Sequence, residues 1–220
     1  GDLMFWPATN LTRQEILGRV RFIKPAYSFR STYAYSNLMF VVAGELLEKV
    51  TGLPWEDYVQ DKIQKRVGMM YSNTRCSLVA EASNVAWPHA PVEGQVRAIK
   101  PYLPDNINPA GGINSCAEDM AKWMLLLLNK GKLSDGSQLI SEKVMNEITS
   151  MQTPIPISKP ASELAAAVMN FNGYGLGVRL RDFRRHQVVT HTGGLAGYVS
   201  QVWLMPEIGL GITILTNQES

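Results

Sequence analysis

Cysteine and histidine are both scarce in this 220-residue chain, and their scarcity narrows its chemistry. The two cysteines, Cys76 and Cys116, form no C-x-x-C pair and have no histidine partner in a ligand pattern. Neither a disulfide framework nor a zinc site follows, and cysteine usage leaves the compartment open. The three histidines, His89, His186 and His191, lack ligand spacing and a patterned carboxylate partner, so metal-dependent hydrolysis is a poor reading. No metal and no cofactor is expected. Charge of one sign is also lacking. A net charge of +2 asks for no nucleic acid and no anionic membrane. The one basic cluster, Arg179, Arg181, Arg184 and Arg185 with His186, is short and reads as a solvated hairpin tip. No apolar run approaches the ~18 residues that span a bilayer. The longest, Met124 to Leu128, sits inside a helical pattern. The opening Gly1-Asp2-Leu3 shows no charged leader region.

What is present reads as helices first and strands last. Thr12 and Glu15 form a T-x-x-E capping box ahead of Ile16. The run Leu38 to Ala43, with Leu46, Leu47 and Val50, is apolar almost all round and predicts a buried helix stopped by Gly52. Pro54 suits the first turn of the next helix, which carries Trp55, Tyr58, Val59, Ile63 and Val67 and stops at Gly68. Residues 69–112 are broken by proline, glycine and asparagine. They predict a long irregular region with one short ribbon, of a length more often functional than idle. Ser115 and Glu118 suggest a second capping box, followed by Cys116, Met120, Trp123, Met124 and Leu127 at helical spacing. Ser141 opens a shorter helix with Val144 and Ile148.

The last fifty or so residues alternate instead. Strands are predicted over Tyr174–Leu180, His186–Thr192, Tyr198–Met205 and Leu210–Thr216. Their short connections imply an antiparallel meander. Segregated helices and strands point to an α+β fold, with residues 1–172 a mainly helical lobe and 173–220 a β-meander. That meander ends with nothing after it to cover its second face, and Gly1 begins in mid-stream. The chain therefore reads as truncated at both ends.

Two constellations could carry chemistry. In Tyr35-Ser36-Asn37, an extended segment would point the phenol and the amide the same way. A phenol serves as a general base if neighbouring cations lower its pKa, and an amide both donates to and accepts from a substrate. The plainer reading is that Ser36 or Asn37 caps the helix and Tyr35 packs as a staple. In His191-Thr192-Gly193-Gly194, glycines at a strand edge let an extended ligand approach the backbone. The plainer reading there is a glycine-rich turn beside a surface histidine.

In this order, Tyr-x-Asn before a helix and His-Thr-Gly about 150 residues later, the chain resembles the penicillin-recognising serine hydrolases, the beta-lactamase-related superfamily. The segment from Thr32 to Asn37 running into Ala43–Gly52, and Pro109-Ala110-Gly111-Gly112 with the helix after it, are similar to the same family. The His-Thr-Gly form is common in its class C-like and esterase-like members. The resemblance spans about Thr32 to Asn217. It implies a beta-lactamase/transpeptidase-like fold, an all-α lobe against an antiparallel sheet, with the site between them. It implies Tyr35 as the catalytic tyrosine and Asn37 as the amide binding a substrate carbonyl. His191 then stands where many members have lysine and would contact an anionic or polar substrate group. Thr192 and Gly193 would line the same edge, and the Gly194 backbone N–H would be an oxyanion donor. The resemblance also implies a small-molecule or peptide substrate and a periplasmic or extracellular setting.

The departure from the family is its first motif, Ser-x-x-Lys, which supplies the nucleophilic serine. No lysine of this chain has a serine three positions before it: Lys122 follows Asp119 at that offset, Lys143 follows Ile140 and Lys159 follows Pro156. Two functions stay in view. One is a serine hydrolase acting through an acyl-enzyme on a β-lactam, a D-Ala-D-Ala-type peptide or an ester, inactive without its nucleophile and partnered by a missing N-terminal segment. The other is a non-catalytic binding or scaffold protein of the same fold.

Overall fold

The computed structural model describes residues 2–6, 8–102, 104–158 and 168–219. Helix α1 (Arg13–Val20) starts at the expected capping box, with Glu15 N donating to Thr12 Oγ1 at 3.2 Å and Thr12 N donating to Glu15 Oε2 at 2.8 Å. Helix α2 (Asn37–Thr51) ends at Gly52, whose φ of 73° gives the left-handed cap that glycine adopts without strain. Leu38, Val41 and Gly44 are buried, but Met39, Leu46 and Val50 are exposed. All-round burial of α2 is thus not what the structure shows. The helix packs on α1, α3 and the Asn108–Gly111 turn, and Met39, Leu46 and Val50 face away from these contacts.

The helix expected from Trp55 to Val67 is three pieces: α3 (Trp55–Val59), a π turn (Gln60–Gln64) and α4 (Lys65–Val67), closed by Gly68 with φ 82°. Residues 69–112 are irregular as predicted, with one ribbon, β1 (His89–Val92) and β2 (Gln95–Ala98). A single-turn helix, α5 (Asn108–Gly111), leads into α6 (Ala117–Leu128). The second capping box does not form. Cys116 is the N-cap residue, and Ser115 Oγ instead meets Ser72 Oγ at 2.8 Å. The loop also claims the first turn of α6 by another route, since Tyr71 N and Ser72 Oγ both donate to Asp119. Helix α7 (Glu142–Ile148) is capped by Ser141, which accepts from Val144 N.

Among the described residues the sheet has six strands in chain order: β3 (Thr153–Pro154), β4 (Asn172–Tyr174), β5 (Arg179–Phe183), β6 (His186–Leu195), β7 (Tyr198–Met205) and β8 (Leu210–Thr216). Every neighbouring pair is antiparallel. The strand expected over Tyr174–Leu180 is two strands, because Gly175 N bonds back to Val178 O and Gly177 takes φ 78°. Arg184 and Arg185 form the β5–β6 hairpin tip, but Arg179 and Arg181 do not share it. Arg179 Nε donates to Asn172 Oδ1 and the Arg181 guanidinium lies over Trp203. Of the basic cluster, only Arg184 and Arg185, with His186 beside them, therefore belong to the hairpin tip.

Alternation gives the sheet two faces. Leu180, Val189 and Leu204 stand in one cross-strand row and pack with Met124 of α6. Each such buried side chain contributes about 1.5–3 kcal/mol. On the other face, Ile212 and Ile214 are about half exposed. A second core joins the helical part to the sheet: Phe5, Ile16, Leu38, Cys76 and Ile107 are buried together, with Leu195 packed against them.

Candidate active site

That second core is what brings the two motifs together. Leu38 follows Asn37 at the start of α2, and Leu195 follows Gly194 at the end of β6. Once both pack on one cluster, the residues just before them in sequence must share a cleft. Tyr35, Asn37, His191, Thr192, Gly193 and Gly194 all line it. The Tyr35 and His191 rings are 5.9 Å apart between centroids.

Local geometry explains each placement. Ser36 is extended (φ −148°, ψ 111°) and is the N-cap residue, but its side chain makes no capping bond. Tyr35 packs on Phe40 at 6.1 Å, as a residue before a cap packs on the fourth helical position. The staple therefore exists, and it leaves the phenol 45% exposed on the cleft. Asn37 Nδ2 donates to Asp2 Oδ2 at 3.4 Å. On the other wall, β5 pairs with β6 only as far as Thr190, whereas β7 pairs through to Leu195. The stretch His191–Leu195 thus has one backbone edge with no strand partner among the described residues. A Cβ on Gly193 would lie 2.3 Å from Ser200 Oγ, while one on Gly194 would project into open space.

Two further tyrosines complete the cleft, and the sequence did not single them out. Tyr174 of β4 has its hydroxyl 2.9 Å from His191 Nε2, and its ring packs on Tyr35 at 6.2 Å and Tyr33 at 5.2 Å. The signals that could have found them are the Tyr33-x-Tyr35 alternation and a tyrosine set directly before Gly175 and Gly177. His191 Nδ1 is 2.5 Å from its neighbour's carbonyl, Thr192 O. The other imidazoles lie elsewhere: His89 Nδ1 contacts Asn217 O and His186 Nδ1 contacts Glu207 Oε2. Among the described residues no three histidine, cysteine, aspartate or glutamate side chains cluster as metal ligands would. No described helix is long and apolar enough to cross a membrane.

The electrostatics of the cleft run against an activated base. Burial pushes the Tyr35 phenol above its ordinary pKa, and the neighbouring Tyr33 and Asp2 push it further. The cation-lowered phenol considered from sequence is therefore not what these residues provide. Burial likewise raises Tyr33, opposed by the Arg179 charge. It raises Tyr174 further still, with Tyr35 and Tyr33 adding to it.

The beta-lactamase family profile matches residues 1–220, and the chain belongs to that family of hydrolases. It is 27% identical over 220 residues to an unguisins hydrolase of Aspergillus violaceofuscus (strain CBS 115571), covering 94% of this chain and 38% of that protein. The fold is that of the octameric penicillin-binding protein homologue from Pyrococcus abyssi (TM-score 0.80, 21% identity, 98% of this chain, 47% of that one). It is also that of a D-stereospecific amidohydrolase from Streptomyces sp. (TM-score 0.72, 22% identity, 94% of this chain, 56% of that one). The α+β, beta-lactamase/transpeptidase-like architecture expected from the sequence is thus the one found. The chain spans well under half the length of the curated relative.

Proposed function

We propose that the chain forms the substrate cleft of a serine hydrolase that works through an acyl-enzyme on an amide or ester. The observation that supports this is the convergence of Tyr35, Asn37 and the His191–Gly194 edge on one cleft, with the Tyr35 and His191 rings 5.9 Å apart. In this reading a serine hydroxyl attacks the substrate carbonyl, the amine or alcohol leaves with a proton, and water hydrolyses the ester that remains. Tyr35 moves the proton to the leaving group, Asn37 holds the substrate carbonyl and Gly194 N–H faces the developing oxyanion. The raised pKa of Tyr35 suits a proton donor, and a base role needs a cation brought beside it. The 220 residues contain no Ser-x-x-Lys, so by themselves they do not acylate.

A fluorophosphonate probe and a fluorescent penicillin test this directly. Neither should label the 220-residue chain, and a longer protein carrying Ser-x-x-Lys ahead of it should be labelled on that serine. Label mapped to a serine of this chain would overturn the assignment. In the labelled longer protein, Tyr35→Phe should slow turnover by about 10²–10⁴, the usual worth of an acid–base group. The missing motif also favours a second reading, a binding protein that keeps the cleft without the chemistry. A longer reading frame with no Ser-x-x-Lys ahead of residue 1 would select it.

A further inference from the structure

Both nitrogens of the His191 ring are occupied, and their partners differ in kind. Nδ1 faces Thr192 O, a carbonyl that only accepts, so Nδ1 carries a proton. In the neutral ring Nε2 then holds a lone pair, and the atom 2.9 Å from it is the Tyr174 hydroxyl. We infer that Tyr174 is a positioning residue: its hydroxyl donates to His191 Nε2 and fixes the ring as the Nδ1–H tautomer, with both ring nitrogens taken by the protein.

The surroundings support this. Tyr174 is fixed from the other side by Tyr33 and Tyr35, whose rings pack on it. The rings packed on His191 are those of Tyr35 and Tyr174, and the histidine in contact with a carboxylate among the described residues is His186, with Glu207. Arg179, on the neighbouring strand, is held by Asn172 Oδ1. Burial also holds the Tyr174 phenol in its protonated, donating form well above neutral pH. The consequence, which rests on the hydrolase reading above, is a substrate class. An imidazole with both nitrogens already bonded has no free donor for a carboxylate, and set among three tyrosine rings it fits an uncharged, aromatic ester or amide better than a group ending in a carboxylate.

Two measurements on the 220-residue chain test this. Long-range ¹H–¹⁵N spectra of the labelled imidazoles at neutral pH should show His191 with a protonated Nδ1 and an unprotonated Nε2. Tyr174→Phe should shift His191 toward the other tautomer while His89 and His186 stay unchanged. A protonated Nε2 in the parent protein, or an unaltered His191 pattern in a folded Tyr174→Phe, overturns the assignment. Should that variant not fold, the parent spectrum still decides. For the substrate class, N-acetylphenylalanine amide and N-acetylphenylalanine are titrated in turn, following the Tyr35 and His191 signals. The amide should bind as tightly as the acid or more so. Binding of the acid about tenfold tighter refutes the substrate class. Failure of both to bind tells against the hydrolase reading and the substrate class together, and leaves the tautomer result standing.

Discussion

Two polar clusters in this molecule, one around Glu56 and one around His191, are built on opposite terms. Glu56 is 3% exposed and charged. Arg13 reaches it with both terminal nitrogens, Nη1 at 3.2 Å from Oε2, and Asn108 Nδ2 donates to Oε1 at 2.7 Å. Arg13 also donates to Asp105 O, and Asn108 Oδ1 accepts from Cys76 N. One carboxylate thereby ties α1, α3, the loop at Cys76 and the α5 turn together. Around His191 the groups are phenols and an imidazole, joined through the Tyr174 hydroxyl at Nε2 and the Thr192 carbonyl at Nδ1. The difference shows where this fold places its charge. Buried charge fixes the scaffold behind the cleft, and the wall around His191 is built from phenol rings.

The sharpest way to break that comparison is to remove its charged centre. Glu56→Ala leaves the buried Arg13 with only the more distant Glu45 carboxylate, 3.9 Å away, and should cost about 3 kcal/mol in urea unfolding, the lower end of the penalty for breaking a buried pair. A pH series adds a sign. Burial alone would raise the Glu56 pKa, but the bonds from Arg13 and Asn108 outweigh it and hold the group below its ordinary value. A carboxylate depressed on folding stabilises fully above its unfolded pKa and loses that contribution as pH falls through the folded one. The parent chain should therefore weaken in acid more steeply than Glu56→Ala.

A smaller effect tests the packing behind Asn37. A Cβ on Gly44 would lie 2.4 Å from Pro109 Cγ, so Gly44→Ala must push α2 off the α5 turn. The expected cost is about 1–3 kcal/mol, as for other overpacked sites. Smallest is the effect in the cleft. Tyr35→Phe keeps the packing on Phe40 and removes only a hydroxyl, so urea unfolding should move by no more than about 0.5 kcal/mol. A cost equal to that of Gly44→Ala would mean that the cleft is part of the scaffold after all.

Much of this was legible in the residues. Thr12 with Glu15, Gly52 and Gly68 mark helix ends because capping is local chemistry. Strands β6, β7 and β8 follow from alternation, and the meeting of Tyr35 with His191 was implied by the family resemblance that the two motifs carry. What was not legible depends on distant neighbours. Ser115 has the pattern of a cap but is drawn to Ser72. The π turn at Gln60–Gln64 has no sequence mark, because its apolar positions still fit a helical period. Strand β4 was merged with β5, since a glycine at every second position looks like alternation until Gly177 adopts a positive φ. Met39, Leu46 and Val50 show that apolar composition does not say which face is covered. Tyr174 could be assigned to a strand, but not to His191, because that bond crosses from β4 to β6.

The unpaired edge of His191–Leu195 has a cost outside the cleft. A row of free backbone donors and acceptors is a template for any extended chain, including a strand from another copy of the protein. Glycine is a poor strand former with no side chain to pack across a new interface. Gly193 and Gly194 therefore make this edge a weak site for lasting strand addition while leaving it approachable by a short ligand. The same two residues that leave this edge approachable also weaken it as a template for another strand.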